Sequence, residues 1–514
     1  MTIHLSIILF LPLAAGLIGA VLPRGMARWA VLAGTVAVLA YAIVMLADFD
    51  RGADGLQYVT NDEWIPELGI RYQLGVDGLN LFMVVLTAVA WVPCTLVAAF
   101  QEQARPRLFF LYMALGETAV LGAFLAQDLA LFIIFFDLML VPFYFLIGGW
   151  GTGDRVRATT MFVIYTLAGS LLMLAAAIAL GVLSTPDGGE LSFSLAVLEA
   201  RSVPEGTQHW IVLLFALAFF VKAPLFPLHG WVPATYRSTS IPVLALLSAV
   251  LSKVGVYGFL RIVLPVMPEG SQHWQELFII LAVFSILYGS ILAFSQDNVR
   301  MVVAYSSIAQ LGFIVLGIFA LDDKGAQGAV FQMLNHGLVV VPLFLILGVI
   351  AARAEGSQSL SQLGGMAMRA PVLAALFLIV TFATLAMPGS ANFVGELLVL
   401  FGSFEDKLVY GLVASMGVIL AAVYMIRLFQ RTMHGRKGSR VESREVGGAE
   451  LAAIVPLVAM IVALGVYPNF VVQRTERATV ERIAGARAVA DELARAEAAD
   501  ERRAARLRVA ERSP

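Results

Sequence analysis

Two lysines lie near the middle of long apolar runs in this 514-residue chain, Lys222 in LLFALAFFVKAPLF and Lys253 in VLALLSAVLSKVGVYGFL. About 20 apolar residues cross a bilayer core, so both runs read as membrane-spanning helices. A lysine at the bilayer centre costs roughly 2.5–3.5 kcal/mol on insertion scales, and is seldom kept there without use. Three more titratable residues share such segments: Asp137 in LALFIIFFDLMLVPFYF, His336 in VFQMLNHGLVVVPLF and Glu396 in GSANFVGELLVLFG. Asp137, Lys222, Lys253 and His336 fall about 8–14 residues into their segments, which at about 1.5 Å per residue is nearly one depth. A row of titratable groups across several helices is what a proton wire parallel to the membrane needs.

Asp137 and Lys222 are the expected working pair. A nearby carboxylate strengthens an amine's hold on its proton, and an apolar surrounding weakens it. A thousandfold change in that hold is about 4 kcal/mol. Moving one charge against the membrane potential costs about 2.3 kcal/mol per 100 mV, so one such swing matches roughly 180 mV. Blander readings stand beside this one. A single intramembrane lysine can be half of a structural ion pair, and His336 can be a helix–helix hydrogen bonder. His229 is a secondary candidate that reads equally as a cap at the membrane edge. Glu117 reads as structural, and Arg427 and Arg431 as side chains that snorkel from a helix end.

The elements that must position these residues follow from composition. The chain is 60% hydrophobic and 14% charged, with mean hydropathy +0.86. Soluble domains carry about 25% charged residues, so this is an integral membrane protein. The formal net charge of −2 argues against a nucleic-acid partner. The single cysteine, Cys94, excludes a disulfide framework or an iron–sulfur cluster. No cofactor or metal is expected in this chain. The pattern predicts an all-α polytopic protein of about fourteen spanning helices. The acidic segment 48–73 is expected as a loop.

Basic residues follow the odd-numbered spans: Arg24 and Arg28; Arg105 and Arg107; Arg155 and Arg157; Arg237; Arg353 and Arg369; then Arg431, Arg436, Lys437, Arg440 and Arg444. Those loops are therefore cytoplasmic and the N-terminus is outside. The arginine-rich stretch 474–512 alternates with acids and reads as a solvated helix. Proline interrupts the seventh span at Pro224 and Pro227, where the carbonyls of Phe220 and Ala223 should lose their helical partners. Pro388 and Gly389 interrupt the twelfth. Breaks five spans apart suggest a five-helix unit used twice, and broken helices mark sites in repeat-built transporters. The expected organisation is N-terminal helices over 1–106, repeats over 107–270 and 271–432, a last helix over 433–471 and a charged tail over 472–514.

The stretches LGVDGLNLFM, FLAQDLALFIIFFDLMLVPFYFLIGGWG, FVKAPLFPLHGWVPATY, LSKVGVYGFLRI, VVAYSSIAQLGF, FQMLNHGL and FVGELLVL carry a resemblance. From about residue 70 to 470 the chain resembles the antiporter-like membrane subunits of respiratory complex I, the proton-pumping NADH–quinone oxidoreductase. The resemblance implies two inverted five-helix repeats with helices seven and twelve broken, and one proton pathway per subunit. It implies Lys222 as the pumping lysine, Lys253 as the connecting lysine and His336 as the relay histidine. Glu396 matches the helix-twelve glutamate of chain M, where chains L and N carry lysine. The chain departs from the family pattern in four places. Asp137 replaces a glutamate. Trp231-Val232-Pro233-Ala234-Thr235-Tyr236 stands where W-L-P-D-A-H is usual. Gln310 stands for a histidine. The tail beyond about 472 has no match.

The expected function is thus a proton-translocating subunit of a redox-driven translocase in the bacterial inner membrane. Flavin, clusters, NADH and quinone would sit in partner subunits, and chains L and N and small membrane chains would be its neighbours. The rival readings are a subunit of a multi-subunit cation/proton antiporter, a membrane hydrogenase or formate-lyase arm, and a structural spacer that does not pump.

Overall fold

The computed structural model describes residues 3–510 apart from 437, 439, 440 and 443. Lys437 and Arg440 of the basic loops, and residues 511–514 of the tail, lie outside the described residues. In hydrocarbon every peptide group must find its partner within the chain, so apolar runs become helices.

α1 (Leu5–Val21) and α2 (Ala27–Asp48) lead into a two-stranded antiparallel hairpin, β1 (Gln57–Ile65) and β2 (Ile70–Val76). Segment 48–73, expected as a loop, is therefore half sheet. Thr60 faces Leu74 and Glu63 faces Arg71 across the ladder. The turn ends at Gly69 with φ +63°, where any Cβ would meet the Leu191 carbonyl oxygen at 2.0 Å. Only glycine fits both demands.

Then follow α3 (Gly78–Phe100), α4 (Pro106–Leu125), α5 (Leu129–Trp150), α6 (Arg155–Leu183), α7 (Glu205–Lys222), α8 (Val232–Ser238) and α9 (Ile241–Val266). The second half holds α10 (Gln275–Ser295), α11 (Val299–Phe319), α12 (Asp323–Ala352), α13 (Pro371–Thr384), α14 (Ala391–Asp406), α15 (Leu408–Met433), α16 (Gly448–Val466) and α17 (Asn469–Ala510). Among the described residues, eleven helices are long and apolar enough to cross a membrane. α1 falls short of that length, and the α7–α8 and α13–α14 segments fall short because each is broken. The expected fourteen is reached only by counting these three. α9, α11 and α12 are buried along nearly their whole length and form the centre of the bundle. α2, α15 and α16 turn most of their surface outward, with side chains such as Val36, Ile419 and Val462 exposed.

The tail departs from expectation. Its helix is present, but it docks instead of standing in solvent up to about residue 490. Val471, Thr475, Thr479, Ile483 and Ala486 form a buried stripe at helical spacing. Thr475 accepts a hydrogen bond from Gln327 on α12. Gly78 lets α17 approach α3 closely, since a Cβ there would meet the Arg474 carbonyl oxygen at 2.0 Å.

Arg482 pairs with Glu199 and lies 3.6 Å from Asp77. Arg487 reaches Asp323 at 2.6 Å. Asp77 caps α3, accepting from the Leu79 and Asn80 backbone N–H groups, and receives two 2.7 Å bonds from the fully buried Arg261 of α9. The tail arginines therefore serve the bundle rather than acids of their own helix. All these partners lie at bundle ends away from the basic loops. On the opposite face Arg353 and Glu450, bonded at 2.8 and 3.2 Å, tie the end of α12 to α16.

Removing one partner of a buried pair leaves an uncompensated charge, at about 3–5 kcal/mol. Asp77→Ala is therefore expected to lower the amount of chain that survives mild heating of membranes, as read by immunoblot. Arg482→Gln, at a site that keeps some solvent contact, is expected to leave that amount unchanged. It should speed hydrogen exchange in α17.

Candidate functional site

Lys222 is the last residue of α7. Pro224 and Pro227 forbid the next turn of helix, and the chain runs irregularly to Val232. The freed carbonyls are not all left open. Phe220 O has lost its helical partner at Pro224, as expected, and accepts instead from Leu225 N at 3.1 Å. Val221 O accepts from the Trp231 indole at 2.9 Å, and Phe226 N donates to Ser285 Oγ at 2.9 Å. The Lys222 amine donates to the Phe136 carbonyl at 3.4 Å and lies 4.4 Å from the centroid of the Phe136 ring.

That carbonyl is one residue from Asp137. The helical pattern of α5 is interrupted at Met139, three residues before Pro142, whose missing N–H loosens this turn. Asp137 accepts a hydrogen bond from Ser170 on α6. Lys222 and Asp137 are within electrostatic reach of each other. Among the described residues, however, the carboxylate's bond goes to Ser170 and the amine's to Phe136 O, with no direct ion pair between them.

Lys253 sits between two π-helical turns of α9, Leu247–Leu251 and Phe259–Val263. Such turns displace carbonyls from the regular ladder and recur at functional sites. The Lys253 amine donates to Ser248 O at 2.7 Å and Ser252 Oγ at 3.3 Å, and lies 2.7 Å from His336 Nδ1. His336 Nε2 lies 3.3 Å from Ser307 Oγ, which lies 3.1 Å from Ser248 Oγ. A charged Lys253 donates to Nδ1 and leaves the ring proton on Nε2, facing Ser307. A charged His336 reverses the first bond. The 2.7 Å contact thus holds one proton that either partner can own.

The second cluster lies one helical turn along. Gln310, three residues after Ser307 on α11, donates to Glu396 Oε1 at 2.7 Å. Gln332, four residues before His336 on α12, donates to Gln310 Oε1 at 2.7 Å. Glu396 Oε2 is buried without a partner. Asn335 on α12 donates to the Ala391 carbonyl at 2.8 Å, where α14 begins after the break. The break itself fits against α16, because Gly465 has no Cβ to meet the Gly389 carbonyl oxygen at 2.3 Å.

The structure thus brings together Lys253 with His336, and Glu396 with Gln310. It places Asp137 near Lys222 without an ion pair. α9 packs on the broken α7, with Gly255 against Phe219 and Ala223, but among the described residues no hydrogen bond joins Lys222 to Lys253. His229 is buried against Phe226 and Tyr288, and its Nδ1 has no partner. Ser170, Ser248, Ser307 and Gln332 are participants that reading for charged residues passes over. Their signal was helical spacing: Ser307 to Gln310 is i,i+3 and Gln332 to His336 is i,i+4.

Residues 126–421 match the family described as "NADH:quinone oxidoreductase/Mrp antiporter, TM". A protein of Rhodobacter capsulatus named NADH-quinone oxidoreductase subunit M is 38% identical over 483 residues, 91% of this chain and 94% of its own. A Mycobacterium tuberculosis protein of the same name is 38% identical over 508 residues, 90% of this chain and 91% of its own. A chain of respiratory complex I from Thermus thermophilus with bound NADH superposes with TM-score 0.86 at 30% identity, over 94% of this chain and all of that one. A chain of the Mrp complex from Dietzia sp. DQ12-45-1b gives TM-score 0.83 at 22% identity, over 95% of this chain and 99% of its own, a likeness of fold. A break that ends α7 at Lys222, a Lys253–His336 contact and a carboxylate beyond the second break are thus set in a shared frame, and the chain belongs to the NADH:quinone oxidoreductase/Mrp antiporter membrane family.

Proposed function

We propose that this chain translocates protons as a membrane-arm subunit of an NADH–quinone oxidoreductase, with Asp137, Lys222, Lys253, His336 and Glu396 as its relay. The observation that carries the reading is the pair of hydrogen-bonded clusters at the bundle centre. Lys253–His336–Ser307 and Gln332–Gln310–Glu396 share α11 and α12, where their members lie one turn apart, with Lys253 reaching in from α9 and Glu396 from α14. A structural ion pair needs one acid and one base. Here an amine meets an imidazole, a contact that can share one proton, and a carboxylate is held by the neutral amide of Gln310, which positions it without fixing its charge.

On this reading the redox groups and quinone belong to partner subunits, and the energy arrives as a conformational or electrostatic signal through the flanks. Relatives of the L and N type would be its neighbours. The membrane is the bacterial inner membrane, with the N-terminus outside and the α17 face with it. The chain divides into N-terminal helices, two inverted five-helix repeats and α16 with α17. The name shared by the Rhodobacter capsulatus and Mycobacterium tuberculosis relatives, and a similarity over nearly the whole chain, favour this reading over a free-standing cation/proton antiporter.

Lys222→Ala is expected to lower proton uptake per electron in vesicles driven by NADH, with the complex still assembled on native gels. Unchanged uptake would leave the spacer reading in its place. Glu396→Gln keeps an acceptor for Gln310 but removes a group that can ionise. Proton flux through this chain should then fall roughly a hundredfold, the scale of one positioned acid–base group. Stability should change by no more than about 1 kcal/mol, read as the thermal midpoint of the purified complex.

A further inference from the structure

An apolar groove of about 350 Å³ opens between α2, α3, α12 and α16. Phe82, Val89, Leu334, Leu338, Leu464 and Phe470 form much of its wall. One end lies at the helix termini, where Leu46 closes α2 and Phe470 opens α17. The other reaches Val89, eleven residues into α3. At about 1.5 Å per residue that is a descent of roughly 16 Å, half of a hydrocarbon core about 30 Å thick. The groove has the depth of one leaflet.

Two guanidiniums stand at its mouth. Arg51, just past α2, donates to Gln473 Oε1 at 2.8 Å. Arg474 donates to the Phe470 carbonyl at 2.7 Å and lies 4.3 Å from the centroid of the Phe470 ring, directly on the groove wall. Its Nε is buried and has no acceptor. Burial, and then the like charge of Arg51, hold the Arg474 guanidinium below the usual arginine range. Among the described residues neither arginine pairs with a carboxylate, whereas Arg477, three residues on, is paired with Asp54. Two adjacent cations with an unfilled donor, at the top of a leaflet-deep apolar groove, are complementary to one kind of molecule.

We propose that this groove binds one anionic phospholipid, its phosphate on Arg51 and Arg474 and an acyl chain running down between α3, α12 and α16. Leu334 and Leu338 flank His336 on α12, so the bound chain backs the helix that carries the relay histidine and keeps that side dry.

The test uses the full chain in its native membrane. The probe is a phosphatidylglycerol bearing a photoactivatable diazirine near the end of one acyl chain. Light should label the peptides that contain Val89 and Leu338. Unlabelled phosphatidylglycerol should compete and phosphatidylcholine should not. Arg51→Gln with Arg474→Gln should cut this labelling roughly tenfold or more, given about 1 kcal/mol per basic residue near an anionic headgroup. Val89→Trp, which fills the groove with both arginines in place, should abolish it. Equal labelling in the arginine variant, or equal competition by phosphatidylcholine, would overturn the proposal in favour of an uncharged occupant such as detergent or a quinone tail. Absence of label from these peptides would overturn it outright.

Discussion

A lysine amine in the middle of a hydrocarbon slab must find oxygen or nitrogen among groups that helices normally keep to themselves. Much of this fold answers that requirement. Lys253 is served by a carbonyl and a hydroxyl of its own helix, Ser248 O and Ser252 Oγ, and by His336 across the bundle. A regular helix would commit the Ser248 carbonyl to its ladder, and the π turn over Leu247–Leu251 displaces it. Lys222 is served by the Phe136 carbonyl, at the point where α5 is loosened before Pro142. Each amine is thus paired with a local irregularity in the helix that feeds it. Irregular backbone at membrane depth is tolerated only inside protein, which places both sites at the bundle centre.

The same logic explains the proline breaks. Interrupting α7 and the α13–α14 segment frees carbonyls at a depth where water is absent. Trp231 takes Val221 O at the first break, and Asn335 adds a bond to Ala391 O in the first turn of α14, just past the second. The second of these donors is adjacent to His336 in the chain. α12 therefore does two tasks with neighbouring residues: it carries His336, the proposed relay histidine, and holds the start of α14, whose second turn carries Glu396. Movement at either break would be felt by the titratable group next to it.

Much of this was legible in the sequence, and the losses share a cause. Lys222, Lys253 and His336 stand out because their cost in an apolar run is large, and the broken spans stand out because Pro224, Pro227 and Pro388 cannot continue a helix. The hydroxyl and amide members, Ser307, Gln310 and Gln332, cost little in a helix and so leave little trace beyond their spacing. The β1–β2 hairpin was hidden by acidic residues, although YVT and WI precede a Pro-Glu-Leu-Gly turn and IRY follows it. The docking of α17 was hidden because Arg482 and Arg487 have acids nearby in their own helix. Their true partners, Asp77, Glu199 and Asp323, are distant in sequence. No local pattern shows which of two available carboxylates an arginine chooses.

The two lysines are held unequally, and the difference bears on how a relay runs. Lys253 has three partners between 2.7 and 3.3 Å, on a helix fixed at one end through Arg261, Asp77 and the tail arginine Arg482. Lys222 has one hydrogen bond, at 3.4 Å, and an aromatic face. It stands at the frayed end of a broken helix and lacks a direct carboxylate. A group that passes a proton sideways needs a fixed donor and acceptor, since transfer requires hydrogen-bond distance. A group whose hold on its proton must be switched needs surroundings that can change without breaking the core. Interiors are close-packed and resist small displacements, so such change belongs where packing is already interrupted. The firmly held Lys253 fits the first role and the loosely held Lys222 the second. In the proposed relay, control would then run from the Asp137–Lys222 end toward His336 and Glu396.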